Sequence, residues 1–416
     1  MALHQNRYVQ IMKVAVIGGG AAGYFAAISC KTHHPEAHVS IFEKSSKTLA
    51  KVKVSGGGRC NVTNVCEPQS DFLRHYPRGQ KQLKKTFNYF NKKNTLEWFE
   101  SRGVKIKAEA DGRMFPVTDD SQTIIDCLRN EVERLGISAL NKKGIIGLNP
   151  QATGGFKIKY DTEETDYFDC IIVATGGSPK SASYDWLRSL GHTIIAPVPS
   201  LFTFNIPEER KLKSLMGLAV PNAVVKIQGT KMVQNGPVLV THWGLSGPAV
   251  LKLSAWGARQ LFDMNYNFKS QVNWTGGMNE EDLRQQVTKI SETESKKKIS
   301  NAKPINIPNR LWEYILDRID LDGNTIWVEL KKKDKNRLIN ILLNDEYAVV
   351  GKTTFKEEFV TCGGVDLSEV DFNTMQSKKL SGLFFAGEVL DIDGITGGFN
   401  FQAAWSTGFV AGKLAQ

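Results

Sequence analysis

The stretch that decides the fold is VAVIGGGAAG, residues 14–23. An apolar run enters three consecutive glycines and leaves through small residues, the pattern of a buried strand turning tightly into a helix. Working outward, Lys13 to Ile17 reads as the strand, Gly18 to Gly23 as the turn and Ala21 to Lys31 as the helix; VSIFEK at 39–44 returns as a second strand. This is a βαβ unit. Gly18, Gly20 and Gly23 form G-x-G-x-x-G inside it, and Glu43 ends the second strand twenty residues past Gly23. In such a loop the first glycine makes the turn, the second lets backbone approach a pyrophosphate, and the third lets helix and strand pack closely. The helix start adds unpaired N–H groups and partial positive charge. The segment therefore predicts a dinucleotide site built from Gly18, Gly20, Ala21, Ala22 and Gly23, with Glu43 on a ribose and Lys44 beside it. Strand, loop, helix, strand and acid in register outweigh the plainer reading of a glycine-rich turn.

Composition sets the limits around this unit. The chain has 416 residues, which at about 150 residues per domain suggests two or three domains. Six cysteines, at 30, 60, 66, 127, 170 and 362, show no CxxC pair and no zinc-type spacing. That argues against a disulfide scaffold and a metal site, and for a reducing cytoplasm. Seventeen uncharged residues from Val14 to Cys30, after Arg7 and Lys13, have the outline of a signal peptide. They fall short of the ~20 needed to span a bilayer, their glycines gather at one point, and no other segment is apolar enough. No membrane partner is expected. Met12 directly precedes the strand, so residues 1–12 read as an extension, poorly ordered at its start, and either Met1 or Met12 could begin the chain.

Net charge is +10, and between Arg78 and Lys107 nine Lys or Arg face only Glu97 and Glu100. Such a face can attract nucleic acid. The plainer reading, favoured here, is a solvated helix surface, and KKKDKNR at 331–337 is read the same way.

Residues 80–107 read as helical and 121–136 as a helix capped by Ser121, followed by strand-like KGIIGL, GFKIKY and DCIIVAT. After PVPSL at 197–201 short β-type runs take over, 279–345 is charged and helix-compatible, and strands return from Thr361 to a final helix, FQAAWSTGFVAGKLA. A long insertion within one α/β domain is the economical reading. Its parts are 13–197 and 361–416 for the nucleotide domain, 198–278 and 346–360 for a small antiparallel barrel or sandwich, and 279–345 for a charged, helix-compatible segment.

A second glycine triplet stands in KVSGGGRCNVTN at 53–64. Gly56, Gly57 and Gly58 let backbone pass close to a ligand, while Arg59, Cys60 and Asn61 offer donors. VATGGSP at 173–179 runs a strand into Ala174, Thr175 and Gly176, and LFFAGEVLD at 383–391 ends in Gly387 and Glu388. ITGGFNFQAAW at 395–405 then opens the last helix with Gly398, Asn400 and Phe401. Several distant segments converging on one cofactor favour a tightly held FAD over a nicotinamide cofactor that comes and goes.

Taken together, IGGGAAG, SGGGRCNVTN, GRMFP, THWGLSGPAVL, VTCGGV and TMQSKKLSGLFFAGEVLDIDGITGGFNFQAAWSTG closely resemble the YhiN/BaiN-like family of bacterial flavoproteins, over about Lys13 to Lys413. That family is described as NAD(P)/FAD-dependent oxidoreductases or as the aminoacetone oxidase family. The resemblance implies a glutathione-reductase-type Rossmann FAD domain with inserted β-barrel and helical domains. It also implies FAD contacts at Gly18, Gly20, Ala22 and Glu43, at Arg59, Cys60 and Asn61, and at Gly387, Glu388, Asn400 and Phe401. Where the family's GGYN motif carries Tyr, this chain has Phe399.

No residue is assigned to catalysis. Cys60 is a candidate nucleophile, since a thiolate next to an arginine in a glycine loop is favoured, although a structural thiol is the plainer reading. His242 in the THWGLSGP turn is a candidate acid or substrate contact, or a turn histidine bonded to backbone. Arg113 in DGRMFP could bind an anionic substrate group or pair with a carboxylate. Trp243 and Trp405 read as packing residues. No second fingerprint follows residue 23, so NAD(P)H would act as a transient co-substrate without its own Rossmann domain. The expected function is hydride transfer to or from a small organic substrate. The competing readings are a flavin-dependent RNA-modifying enzyme and a non-catalytic flavoprotein sensor.

Overall fold

The computed structural model describes residues 11–162, 164–353 and 360–415. Of the expected extension at 1–12, residues 1–10 lie outside the described residues. Contacts divide the chain into two units, residues 1–198 with 356–416, and residues 199–355.

In the first unit, Lys13–Ile17 (β1), His38–Glu43 (β2), Ser138–Asn141 (β3), Cys170–Val173 (β4) and Leu383–Phe385 (β5) form a parallel sheet in the order β5-β4-β1-β2-β3. Two short antiparallel strands, Gln376–Ser377 and Val370–Asp371, extend it beyond β5. The central strand is the most apolar, and Val14, Ala15 and Val16 are fully buried, as expected where both faces of a parallel sheet are covered. Between β3 and β4 the chain makes a three-stranded antiparallel meander, Ile145–Pro150, Phe156–Tyr160 and Thr165–Phe168.

Helix α1 (Ala21–His33) runs two residues past the predicted end, with Lys31 and His33 in its last turn, where positive charge complements the helix dipole. Helix α2 (Ser121–Arg134) is capped by Asp120, whose carboxylate accepts from the Gln122 N–H at 2.8 Å; the expected cap, Ser121, donates instead to the Lys53 carbonyl. The 80–107 stretch is two helices, Gln80–Thr86 and Lys92–Glu100, because Asn91 starts the second with a reciprocal capping box to Asn94. Helix α3 (Phe399–Gly412) lies against α1. A Cβ at Gly408 would come 2.6 Å from the Ala22 carbonyl oxygen, and one at Gly412 would come 2.4 Å from that of Ala26. Small residues thus bring the chain's last helix onto its first.

The second unit is a seven-stranded antiparallel sheet. Its order is Asp345–Val350, Asn267–Asn273, Ala219–Ile227, Val233–Val240, Gly244–Ser246, Thr203–Asn205 and Lys352–Thr353. The first and last of these strands are neighbours in sequence, separated by Gly351. Helices Glu280–Thr293, Asn309–Arg318 and Lys332–Leu343 share one hydrophobic core with the sheet, joining Val225, Val272, Leu283, Trp312 and Leu342.

Candidate functional site

The first glycine loop is fixed by close backbone packing. Gly18 has φ +114°, and a Cβ there would sit 2.3 Å from the Ala174 carbonyl oxygen; its N–H donates to the Phe42 carbonyl at 2.8 Å. A Cβ on Gly23 would sit 1.9 Å from the Gly18 oxygen. Gly20 is the opposite case, with nothing within 4 Å of the added carbon. Turn, open approach and tight packing fall on the three glycines as the fingerprint requires. No side chain caps the start of α1, so the N–H groups of Ala21 and Ala22 are offered to a ligand. Glu43 holds the loop, accepting from Gly19 N–H at 2.9 Å and Ser45 N–H at 2.8 Å, and each carboxylate oxygen retains a lone pair for a hydroxyl. Lys44 is exposed beside it.

The second loop is fixed by backbone conformation. A helical turn from Ala50 breaks at Ser55, after which Gly56, Gly57 and Gly58 take φ of 59°, 71° and 85°. Three successive left-handed residues favour glycine, which has no Cβ to strain there. Gly56 presses on the Phe115 ring, but Gly57 and Gly58 face open space. The Arg59 guanidinium lies 3.9 Å over the Phe115 ring and bonds Glu109 at 2.5 Å, with Asp119 at 3.5 Å; these carboxylates, Glu109 first, raise its pKa. Arg113 shares Glu109 at 3.1 Å and bonds Asp111 at 2.7 Å, which is its ion-pair reading. The Asn61 side-chain oxygen accepts from the Met114 N–H at 3.3 Å.

Cys60 is fully buried, and burial pushes its thiol to about 12. It therefore carries no thiolate at neutral pH, and the adjacent Arg59 charge, turned to Glu109, does not change that. Desolvation thus disfavours the thiolate that the nucleophile reading of Cys60 needs.

The carboxyl ends of β4 and β5 meet the first loop. Ala174 N–H donates to the Ile17 carbonyl and Ala386 N–H to that of Val173. Beyond them Thr175 is exposed and Gly176, at φ +73°, faces open space. Gly387, at φ +74°, touches Ala22 at the start of α1: a Cβ there would be 2.7 Å from that of Ala22. The Glu388 carboxylate accepts from the Thr361 N–H at 2.7 Å and from Lys51 Nζ at 2.8 Å. The Thr361 hydroxyl is buried and has no hydrogen-bond partner among the described residues.

At the head of α3, Gly398 has φ +94° and its added Cβ would lie 2.4 Å from the Thr63 carbonyl oxygen. Asn400 pairs reciprocally with the Gly394 backbone, at 2.8 and 2.9 Å, and so closes loop 394–400. Phe401 stacks on Trp405. Phe399 stacks on His75 at 4.4 Å, and its carbonyl accepts from the Tyr76 hydroxyl at 2.6 Å.

The family profile described as "HI0933-like protein Rossmann domain" matches residues 12–414. The chain belongs to that family. A 3-dehydro-bile acid delta(4,6)-reductase of Clostridium scindens is 28% identical over 415 residues, covering 97% of this chain and 98% of that protein. A ribosomal RNA dihydrouridine synthase of Escherichia coli is 28% identical over 409 residues, covering 96% of each. Among solved structures, a 3-ketosteroid-delta4-(5alpha)-dehydrogenase of Rhodococcus jostii aligns with a TM-score of 0.49 at 14% identity, over 98% of this chain and 99% of that one. Membership of this Rossmann family together with a reductase relative supports an enzyme of the flavin-type oxidoreductase class.

Within the family fold, the glycine loops, the ends of β4 and β5 and the head of α3 all belong to the first unit. His242 does not: it is exposed in the second unit, edge-on to Trp243 at 5.3 Å. Trp243 is half exposed, so the packing reading fits only Trp405, which is buried with its indole N–H on the Val62 carbonyl at 3.0 Å. Sequence reading missed Lys51 and Gln402. The Gln402 side chain accepts from Thr63 Oγ1 at 2.7 Å and donates to Thr95 at 2.8 Å and Ser406 at 3.0 Å, all buried. A lone glutamine among apolar residues in FQAAW was its available signal. It also missed Arg78, which forms a two-pronged ion pair with fully buried Asp393.

The residues present fit a dinucleotide flavin. Bare backbone faces at Gly20, Gly57, Gly58 and Gly176 come from three separate segments, the start of α1 is uncapped, and the Thr361 hydroxyl is left to pair. Among the described residues no cluster of His, Cys, Asp or Glu is placed to hold a metal, and no helix is long and apolar enough to cross a membrane.

Proposed function

We propose that this protein is an FAD-dependent reductase that saturates a ring carbon-carbon double bond next to a carbonyl, with NAD(P)H as electron donor. The observation that carries the reading is that two full-length relatives with unlike substrates share this chemistry by name. A delta(4,6)-reductase of a 3-dehydro compound removes ring double bonds, and a dihydrouridine synthase adds two hydrogens to uridine. FAD, when bound, supplies the hydride. The chain's own residues hold it: Gly18, Gly20, Ala21, Ala22 and Gly23 at the diphosphate, Glu43 and Lys44 at the adenosine, Gly56 to Asn61 along the second loop, and Ala174 to Gly176, Gly387, Glu388, Gly398, Asn400 and Phe401 around the rest. The uncapped start of α3 offers N–H groups that favour negative charge.

In this reading an antiparallel barrel at 198–278 and 346–360, carrying a small helical domain at 279–345, forms an inserted substrate module. In this reading the protein acts in the cytoplasm, to which six cysteines with no CxxC pair and no paired spacing lend support. The test is anaerobic. Yellow protein should bleach with NADPH or NADH and recover its colour with a cyclic enone. Bleaching without recovery on any conjugated acceptor would leave the sensor reading; a protein that binds no FAD would remove the reading altogether.

A second reading, RNA as the substrate, is favoured by exposed Lys81, Lys84 and Lys85 on the helix Gln80–Thr86 and by the dihydrouridine synthase relative. Binding to ribosomal RNA fragments that falls steeply with salt supports it; no binding at low salt excludes it.

A further inference from the structure

We infer that Lys51 is a positioning residue of the cofactor site, whose ammonium neutralises Glu388 so that a dinucleotide diphosphate can lie beside a carboxylate. The inference rests on the FAD reading above and names a residue it did not contain.

Two independent connections bring these side chains to the mouth of the first glycine loop. Leu49 N–H donates to the Gly19 carbonyl at 2.8 Å, so the turn carrying Lys51 is tied to the loop two residues upstream. Gly387 touches Ala22 in the first turn of α1, so the next residue, Glu388, also stands at that helix start. Any diphosphate on the free N–H groups of α1 therefore meets a carboxylate, and like charges at such range oppose binding. Glu388 is held in place: Thr361 N–H fixes one oxygen at 2.7 Å, close beside Gly177, where an added Cβ would come 2.7 Å from that oxygen. Lys51 Nζ, 2.8 Å from the other oxygen, supplies the compensating charge. The Lys51 side chain is 45% exposed and that of Glu388 only 20%. The pair thus adds little to the stability of the empty fold, and its use lies with a ligand.

The test is a double-mutant cycle on FAD affinity, read by quenching of flavin fluorescence. Lys51→Gln should weaken FAD by at least about fivefold, Lys51→Arg should restore it, and the loss should largely vanish when Lys51→Gln is made in an Glu388→Gln background. Melting of the FAD-free variants should match that of the wild type. Lys51→Gln with unchanged affinity overturns the inference. So does an equal loss in both backgrounds, which would mean that Lys51 acts on the ligand without Glu388. If wild-type protein takes up no FAD, the FAD reading fails first, an outcome distinct from both.

Discussion

Two glycine triplets lie less than forty residues apart, and they need glycine for different reasons. At Gly18 and Gly23 a side chain would collide with backbone oxygen, at 2.3 and 1.9 Å. At Gly57 and Gly58 there is room for a side chain, but φ is 71° and 85°. The first loop is constrained chiefly by packing between strand and helix, with a positive φ at Gly18 besides; the second is constrained by conformation and leaves Gly57 and Gly58 facing open space. The same three letters in a sequence therefore do not carry the same chemistry.

The comparison can be broken most severely at the first loop. Gly23→Ala should cost about 3 kcal/mol or more, because the new carbon meets backbone that cannot yield, and the purified protein should be colourless; a stable yellow variant would remove the packing argument. Next, Gln402→Leu should cost about 1–3 kcal/mol in urea unfolding, since Thr63 and Thr95 lose their buried partner. It tests whether α3 holds the exit of the second loop. Gly57→Ala should cost only about 1 kcal/mol in the FAD-free protein while weakening FAD clearly, because its Cβ points into the open face. Equal effects on both measurements would mean that the face is not a cradle.

Smaller still is the effect expected of Cys60→Ala, which should leave reduction of bound flavin unchanged. With the thiol pushed to about 12, iodoacetamide at pH 8 should spare Cys60 and label partly exposed Cys66 first. Glu131, on α2 and outside both loops, is the control. Arg134 and then Arg102 hold its carboxyl at about 2, below the usual 4.5. Its contribution is full above pH 4.5 and is lost as pH falls towards 2. Glu131→Gln should remove that part of the acid sensitivity and leave FAD affinity alone.

Much of the first unit was legible because its signals are local. A strand, a tight turn and a helix follow one another within twenty residues, and apolar periodicity marks each. Legibility fell where meaning depended on distant neighbours. Arg59 reads as a free donor until Glu109 and Asp119 stand beside it, and Cys60 keeps a nucleophile reading beside the plainer structural one until burial is known. The cap of α2 shifted by one residue because Asp120 and Ser121 both suit the position, and only the path of the backbone chooses between them. Trp243 reads as a core residue by composition, yet it is half exposed on a turn held by Thr241.

By itself the sequence determined the βαβ unit, the fingerprint loop and the return of the last segment to the first domain, because hydrophobic period and glycine spacing act over a few residues. Only the tertiary structure decided which charges are paired, which thiol is buried and which side chains meet across hundreds of residues. Lys51 and Glu388 are 337 positions apart. Electrostatics and burial depend on distance in space, and the chain's order does not record it.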